Sequence, residues 1–246
     1  LLALKYLDKA KSLVSECENE YNPLVKLYVA YTVIYSAMTN YKEVNFYYNK
    51  VIKLAKSKKD SLTLIPILIN NANNLLENKD YNNANKRCQE ALKISDENNE
   101  KIYKSHIYHT LGKINLKTNK YKKAESHLNM ALDLFKKMKS IKMVPKVLYD
   151  LGENFYNQKK YEISLKILNS SLSKNKGINN YDLDIIILKK ILSIYDMNNN
   201  RKAKEITKKL NKVLEVKIKY KEKVFSEINI TALKHLADEL NLSQRK

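Results

Sequence analysis

The stretch Ser105–Lys136, SHIYHTLGKINLKTNKYKKAESHLNMALDLFK, contains the pattern around which the rest of the chain is organised. Its tyrosine Tyr121 belongs to a series, because Tyr41, Tyr81 and Tyr161 stand at successive intervals of 40 residues. Each tyrosine opens a segment of similar pattern: YKEVNFYYNKVI, YNNANKRCQEAL, YKKAESHLNMAL and YEISLKILNSSL. A fixed period of this length indicates an array of structural repeats.

The quoted stretch resembles one tetratricopeptide repeat, a unit of two antiparallel helices. Leu111 and Gly112 take the seventh and eighth positions of that motif, and Tyr121, Ala124 and Ala131 take the seventeenth, twentieth and twenty-seventh. The resemblance implies an all-α fold, a right-handed superhelix (α-solenoid) of about five helix pairs with a C-terminal capping helix. The period exceeds the roughly 34 residues of the plain motif. We therefore expect extra turns on the helices and slightly longer loops.

The repeat pattern predicts a single domain over residues 1–246. We expect residues 1–20 to form the second helix of an incomplete repeat. Because this helix lacks a partner and the sequence begins without Met, we expect an N-terminal region absent from this chain. Asp60 or Ser61 is expected to cap a helix, and Gly112 and Gly152 should lie where paired helices approach most closely. The full repeats span residues 21–58, 59–98, 99–139, 140–176 and 178–225, and the capping helix spans 229–243.

The composition favours long helices with short polar connections. Only 3 Gly, 3 Pro and no Trp are present, which does not suit all-β or doubly wound folds with their many turns. Cys17 and Cys88 both fall in helical, apolar contexts and predict reduced thiols, which favours the cytoplasm. Neither a signal-peptide core nor an apolar run near 18 residues occurs, so we expect no membrane span.

The formal net charge of +20 has two interpretations. It could indicate a polyanionic partner. The alternative, which we prefer, is a lysine-rich composition spread over many solvated helix faces. The charge is uneven, however. Residues 101–146 contain 12 Lys against Glu125 and Asp133, and residues 201–223 contain 10 basic residues against three acidic ones.

Motifs for catalysis or cofactor binding are not evident in the sequence. With glycine only at positions 112, 152 and 177, no phosphate-binding loop can form. We therefore predict no enzyme activity, no cofactor and no metal. His106 and His109 share a helix face and could hold a metal, but a third ligand is not evident. The segment ALKHLADELNLS resembles the front of a DNA-binding helix-turn-helix, although we prefer the capping helix because no recognition helix follows it.

The predicted binding surface lies on the first helix of each pair, which lines the concave side of tetratricopeptide arrays. Repeat positions 2, 5, 9, 12 and 13 point inward there. This lining mixes amide, imidazole, cation and phenol groups, which suits an extended peptide. The alternative is an ordinary polar open face. The predicted peptide-binding residues are Asn73, Glu77, His106, His109, Lys113, Lys117, Tyr149, Glu153, Tyr156 and Asn157.

The 40-residue array is similar to the receptor domain of the Rap/PlcR-type quorum-sensing regulators. That resemblance implies a short signalling peptide on the concave surface, held by an asparagine just after the small residue of the first helix. Ala72-Asn73 matches this pattern, whereas the corresponding Lys113 and Glu153 depart from it. Many members carry an N-terminal helix-turn-helix. The Rap branch instead carries a helical bundle that acts on response regulators.

The leading hypothesis is the sensor part of a cytosolic, peptide-responsive transcription regulator. It could form a homodimer and would contact DNA only through the absent N-terminal region. The alternative is a scaffold or adaptor that binds a protein partner through its basic segments. A phosphatase toward response regulators and direct nucleic-acid binding by this chain are less favoured.

Overall fold

The computed structural model describes residues 21–98, 100–197 and 201–220, and these residues contain helices and no strand. The predicted helix at residues 1–20, Cys17 and the predicted capping helix at 229–243 lie outside the described residues. The helices are α1 (Tyr21–Ala37), α2 (Tyr41–Ser57), α3 (Ser61–Glu77), α4 (Tyr81–Glu97), α5 (Lys101–Lys117), α6 (Tyr121–Lys137), α7 (Met143–Asn157), α8 (Tyr161–Asn175), α9 (Tyr181–Met197) and α10 (202–220).

The helices follow one another with a period half that of the sequence repeat. Helices α1 to α6 each have 17 residues, and each begins 20 residues after the previous one. The residues that exceed the plain motif therefore lie in the helices, as expected. The expected longer loops are not found between these helices, because the connections 38–40, 58–60, 78–80 and 118–120 have only three residues.

The short connections use residues with a left-handed backbone. Thr39, Lys59, Lys79 and Asn119 have φ of 54°, 52°, 62° and 58°. After the second of these, the backbone N–H of Asp60 donates to the carbonyl of Ala55 at 2.9 Å. This is the six-to-one bond of a Schellman turn, which satisfies a carbonyl that the helix leaves open. The chain thus makes tight turns without glycine at these positions.

Glycine at one of these turns is expected to stabilise the protein. A non-glycine residue pays for the left-handed region, whereas glycine enters it freely. Lys59→Gly should raise the free energy of unfolding by about 0.5–1 kcal/mol after the entropy of the more flexible unfolded chain is subtracted. Lys58→Gly is the matched control, because Lys58 has φ −95° and should only lose stability. Urea unfolding followed by circular dichroism measures both, and equal losses would contradict this account.

The amino ends of the helices divide into capped and uncapped ones. Asn40, Asp60 and Asp80 accept hydrogen bonds from backbone N–H groups at 3.4, 3.0 and 3.2 Å. This confirms Asp60 as an N-cap, while Ser61 is the first helical residue. Lys120 and Lys160 occupy the same place before α6 and α8 without a side-chain cap. The amide groups at those ends therefore lack the carboxylate that Asp60 and Asp80 supply.

The described chain falls into two compact units, and the boundary lies inside α7 between Asn154 and Phe155. In the first unit α1 packs on α2, α3 on α4 and α5 on α6, and α3 also contacts α5. In the second unit α8 packs on α9. These consecutive helix pairs confirm the predicted all-α repeat architecture. None of the described helices is long and apolar enough to cross a membrane.

The core of the first unit is apolar and closely packed. Ile65, Leu68, Ile107 and Leu128 have no exposed surface. Cys88 is buried in one cluster with Ile65, Leu68 and Ile107 as a free thiol, and its burial raises the pKa of the thiol to about 12. This thiol is therefore protonated and unreactive near neutral pH, in agreement with the expected reduced state.

Candidate functional site

Asn73 and Lys113 connect the first helices of two successive repeats. The Lys113 Nζ donates to Asn73 Oδ1 at 3.0 Å. The hydroxyl of Thr110, which donates to the carbonyl of His106 at 3.0 Å, lies 3.5 Å from the same oxygen. The Asn73 Nδ2 donates to the carbonyl of Ile69, one turn earlier, at 3.0 Å. All of the amide's polar atoms thus have partners within the protein.

The next pair of first helices, α5 and α7, is joined by a hydrogen bond and an ion pair. His109 Nε2 lies 2.6 Å from Asp150 Oδ2, and both side chains are largely buried, with 11% and 14% exposed. Lys117 Nζ lies 3.6 Å from Glu153 Oε1. The Lys117 side chain is half exposed, so its attraction to Glu153 is weakened by water. The buried pair is therefore the stronger of the two connections.

These separate contacts all join the first helices α3, α5 and α7, and we call the residues that make them the polar ladder. It crosses from α3 through α5 to α7 within the first unit. The two partners of each contact are separated in sequence by one repeat, plus or minus about one helical turn. Their side chains therefore meet across adjacent helices. The polar ladder consists of Asn73, His109, Thr110, Lys113, Lys117, Asp150 and Glu153.

His106 and His109 both lie against Phe135 of α6. The ring centroids of His106 and Phe135 are 4.9 Å apart and those of His109 and Phe135 6.3 Å apart, both edge to face. Burial, and then the neighbouring His109 and Lys146, lower the pKa of His106. His106 is therefore neutral near pH 7. The residues described by the structure contain no group of three His, Cys, Asp or Glu side chains that could hold a metal.

Tyr149 supplies a phenol beside the polar ladder. Its side chain is partly buried, and burial, followed by the carboxylates of Glu153 and Asp150, raises its pKa above the usual range. The phenol therefore stays protonated and can donate a hydrogen bond. A donor next to two carboxylates suits an acceptor group of a ligand.

The remaining predicted site residues are more scattered. Glu77 is exposed at the last position of α3. Tyr156 and Asn157 belong to the second unit. There the ring of Tyr156 accepts a cation–π contact from Lys190, whose Nζ lies 4.4 Å from the ring centroid, and Asn157 is exposed.

One protein family and several solved structures are similar to this chain. Residues 63–137, which span α3 to α6, match the family model for the tetratricopeptide repeat. The chain thus resembles tetratricopeptide-repeat proteins. No curated protein matches the chain.

Several solved structures share this fold. The crystal structure of BtubC from P. vanneervenii is similar with a TM-score of 0.72 at 17% identity, covering 87% of this chain and 89% of that one. The apo form of RapI is similar with a TM-score of 0.73 at 19% identity, covering 89% of this chain and 78% of that one. A Rap protein complexed with Competence and Sporulation Factor is similar with a TM-score of 0.72 at 14% identity, covering 84% and 58%. The chain therefore resembles Rap proteins in fold.

Two polar residues of the ladder were missed by the sequence analysis. Thr110 and Asp150 both occupy the sixth position of their repeats, which the inward-facing pattern leaves out. Asp150 follows His109 by 41 residues. A search for a carboxylate about one repeat after an inward-facing imidazole would have found this pair, because adjacent first helices place such residues side by side.

Proposed function

We propose that the polar ladder binds a short signalling peptide or an extended protein segment, and that the chain is the sensor part of a cytosolic, peptide-responsive transcription regulator. The observation that carries the proposal is the pairing of Asn73 with Lys113. Both partners can exchange this contact for a peptide, because an amide oxygen and an ammonium group are the partners that a peptide backbone and a carboxylate require.

Binding would then proceed by exchange of hydrogen bonds. Lys113 leaves the amide oxygen of Asn73, which accepts a peptide N–H instead. The Asn73 Nδ2 leaves the Ile69 carbonyl, which a helix already satisfies, and donates to a peptide carbonyl. The released Lys113 can pair with a carboxylate of the ligand. Tyr149 and the half-exposed Lys117 provide further donors along the same face.

The fold comparison supports a peptide or protein ligand. A Rap protein of similar fold has been crystallised with Competence and Sporulation Factor. The regulator role rests on the resemblance of Ala72-Asn73 to the Rap/PlcR-type receptors. A helix-turn-helix encoded directly upstream of Leu1 would support that role. Another kind of upstream region would favour the scaffold or adaptor.

The peptide site is tested with a peptide selected on this chain from a library of short random peptides. Asn73→Ala should weaken its binding in a calorimetric titration by about 1–3 kcal/mol, because the peptide amide then loses its buried partner. Asn70→Ala is the matched control, since Asn70 lies on the same helix and is exposed. Unchanged affinity for Asn73→Ala, or an equal loss for Asn70→Ala, would disprove the assignment.

A further inference from the structure

Two similar grooves occur one repeat apart in the first unit. Each is bordered by the second helices of two successive repeats. The first groove lies among α2, α3 and α4 and has a volume of about 510 Å³. The second groove lies among α4, α5 and α6 and has a volume of about 480 Å³. The 40-residue period relates their lining residues. Asp80, Asn83 and Arg87 of the first groove correspond to Lys120, Lys123 and His127 of the second.

In the first groove, Arg87 and the carboxylates of Asp80 and Glu90 have partners within the protein. The guanidinium of Arg87 donates to Asn71 Oδ1 at 2.9 Å and to Asn49 Oδ1 at 2.6 Å. It also lies 3.4 Å from a carboxylate oxygen of Glu90. Asp80 caps the first turn of α4 through the N–H of Asn83 at 3.2 Å. Lys86 lines both grooves, so among the described residues the first groove offers a ligand this one unpaired cation, beside the carboxylates of Asp80 and Glu90.

The second groove has cations but no carboxylate to balance them. Lys86, Lys120 and Lys123 line it, and among the described residues none of the three forms an ion pair. Amide side chains and His127 make up much of the rest of its wall. Lys120 stands where Asp80 stands in the first groove, so the amino end of α6 opens into this wall without a side-chain cap. Its backbone N–H groups and helix dipole add to the positive potential.

The orientation of His127 adds another donor. Its Nδ1 accepts a hydrogen bond from Asn115 Nδ2 at 3.0 Å, which places the proton of the neutral ring on Nε2. Burial, followed by the nearby Lys123, lowers the pKa of His127. The ring is therefore neutral near pH 7 and still offers an N–H donor. Asn115, only 9% exposed, also donates to the carbonyl of Leu111 at 2.8 Å, and this contact holds it in place.

We propose that the second groove binds a phosphate group. The groove offers more hydrogen-bond donors than the two oxygens of a carboxylate could use: three ammonium groups, an imidazole N–H and the uncapped helix end. A phosphate group carries three strong acceptor oxygens and about two negative charges, and so matches these donors better. The source is either a free phosphate compound or a phosphorylated side chain of a partner protein. Both present the same chemistry to the groove.

The test is a titration with inorganic phosphate, followed by the amide resonances of residues 120–124 at constant ionic strength. Wild-type protein should show saturable shifts. The double variant Lys120→Gln/Lys123→Gln should bind phosphate at least about tenfold more weakly, because two charge-assisted hydrogen bonds are removed. Lys122→Gln is the matched control, since Lys122 is an exposed lysine of the same turn that does not line the groove. Its affinity should stay within about twofold of wild type, as for other surface changes.

Two results would overturn the proposal. The first is the absence of saturable shifts in the wild-type protein. The second is an equal loss of affinity in Lys122→Gln and in the double variant, which would show general attraction to a basic surface. The same titration with adenosine monophosphate and with a short phosphoserine peptide distinguishes the sources. The source that binds more tightly than inorganic phosphate, and loses that gain in the double variant, is the one the groove accepts.

Discussion

Phe135→Ala is expected to lower the free energy of unfolding by about 3–5 kcal/mol, the usual cost of removing a fully buried phenyl ring. Phe135 is 1% exposed and lies in the last two turns of α6. Its ring supports His106 and His109 edge to face, so the loss would also loosen the contact between His109 and Asp150. Urea unfolding followed by circular dichroism measures the change.

Two further variants separate the cavity from other causes. Phe135→Leu keeps most of the volume and should lose less than about 1.5 kcal/mol. Phe46→Ala removes the same ring from a position that is 49% exposed, and it should lose about 1 kcal/mol or less. A loss for Phe135→Ala as small as that for Phe46→Ala would mean that the core of α5 and α6 does not depend on this ring.

The 40-residue spacing of the tyrosines was enough to predict most of the fold. Tyr41, Tyr81, Tyr121 and Tyr161 each prove to be the first residue of a second helix. A repeat pattern predicts this reliably because the same pair of helices has to bury the same face each time. The turns were less accessible, because the left-handed residues are lysine, threonine and asparagine instead of glycine. No local signal distinguishes Lys59 from the exposed lysines around it.

The sequence predicted the positions of several polar-ladder residues on the first helices. It did not predict which of these side chains contact one another. The inward-facing pattern selected Asn73, Lys113 and Glu153, which lie on successive first helices. It could not show that Lys113 already occupies the amide of Asn73, because such a contact depends on the side-chain rotamers of two helices. The pairing of His109 with Asp150 was missed because the inward-facing pattern leaves out the sixth position, which Asp150 occupies.

The polar network at Asn71 is another departure from the repeat pattern. Asn71 takes the seventh position, where Leu111 stands in the next repeat, and it is 1% exposed. A buried amide there is tolerated because it accepts from Arg87 at 2.9 Å and donates to Asn45 at 3.0 Å. Sequence alone shows the exception at position seven. The structure adds that Arg87, sixteen residues later, compensates it.

The effect of Gly112→Ala on the free energy of unfolding is expected to depend on the side chain at position 128. The substitution should destabilise the wild-type protein and stabilise the Leu128→Ala variant. A Cβ atom at position 112 would lie 2.6 Å from both Cγ and Cδ2 of Leu128, which has no exposed surface and little room to move. Overpacking of this kind costs about 1–3 kcal/mol, and the better helix propensity of alanine returns about 1 kcal/mol. The variant should therefore lose up to about 2 kcal/mol, as the difference of the two effects.

The second arm of this experiment uses Leu128→Ala as the background. That substitution alone should cost about 2–5 kcal/mol, because it leaves a cavity. Adding Gly112→Ala then fills part of the cavity and gains helix propensity, so the double variant should be more stable than Leu128→Ala by about 1 kcal/mol. The double-mutant cycle measures this coupling from four urea unfolding curves. If Gly112→Ala destabilises both backgrounds equally, the close approach to Leu128 is not the reason that glycine stands at position 112.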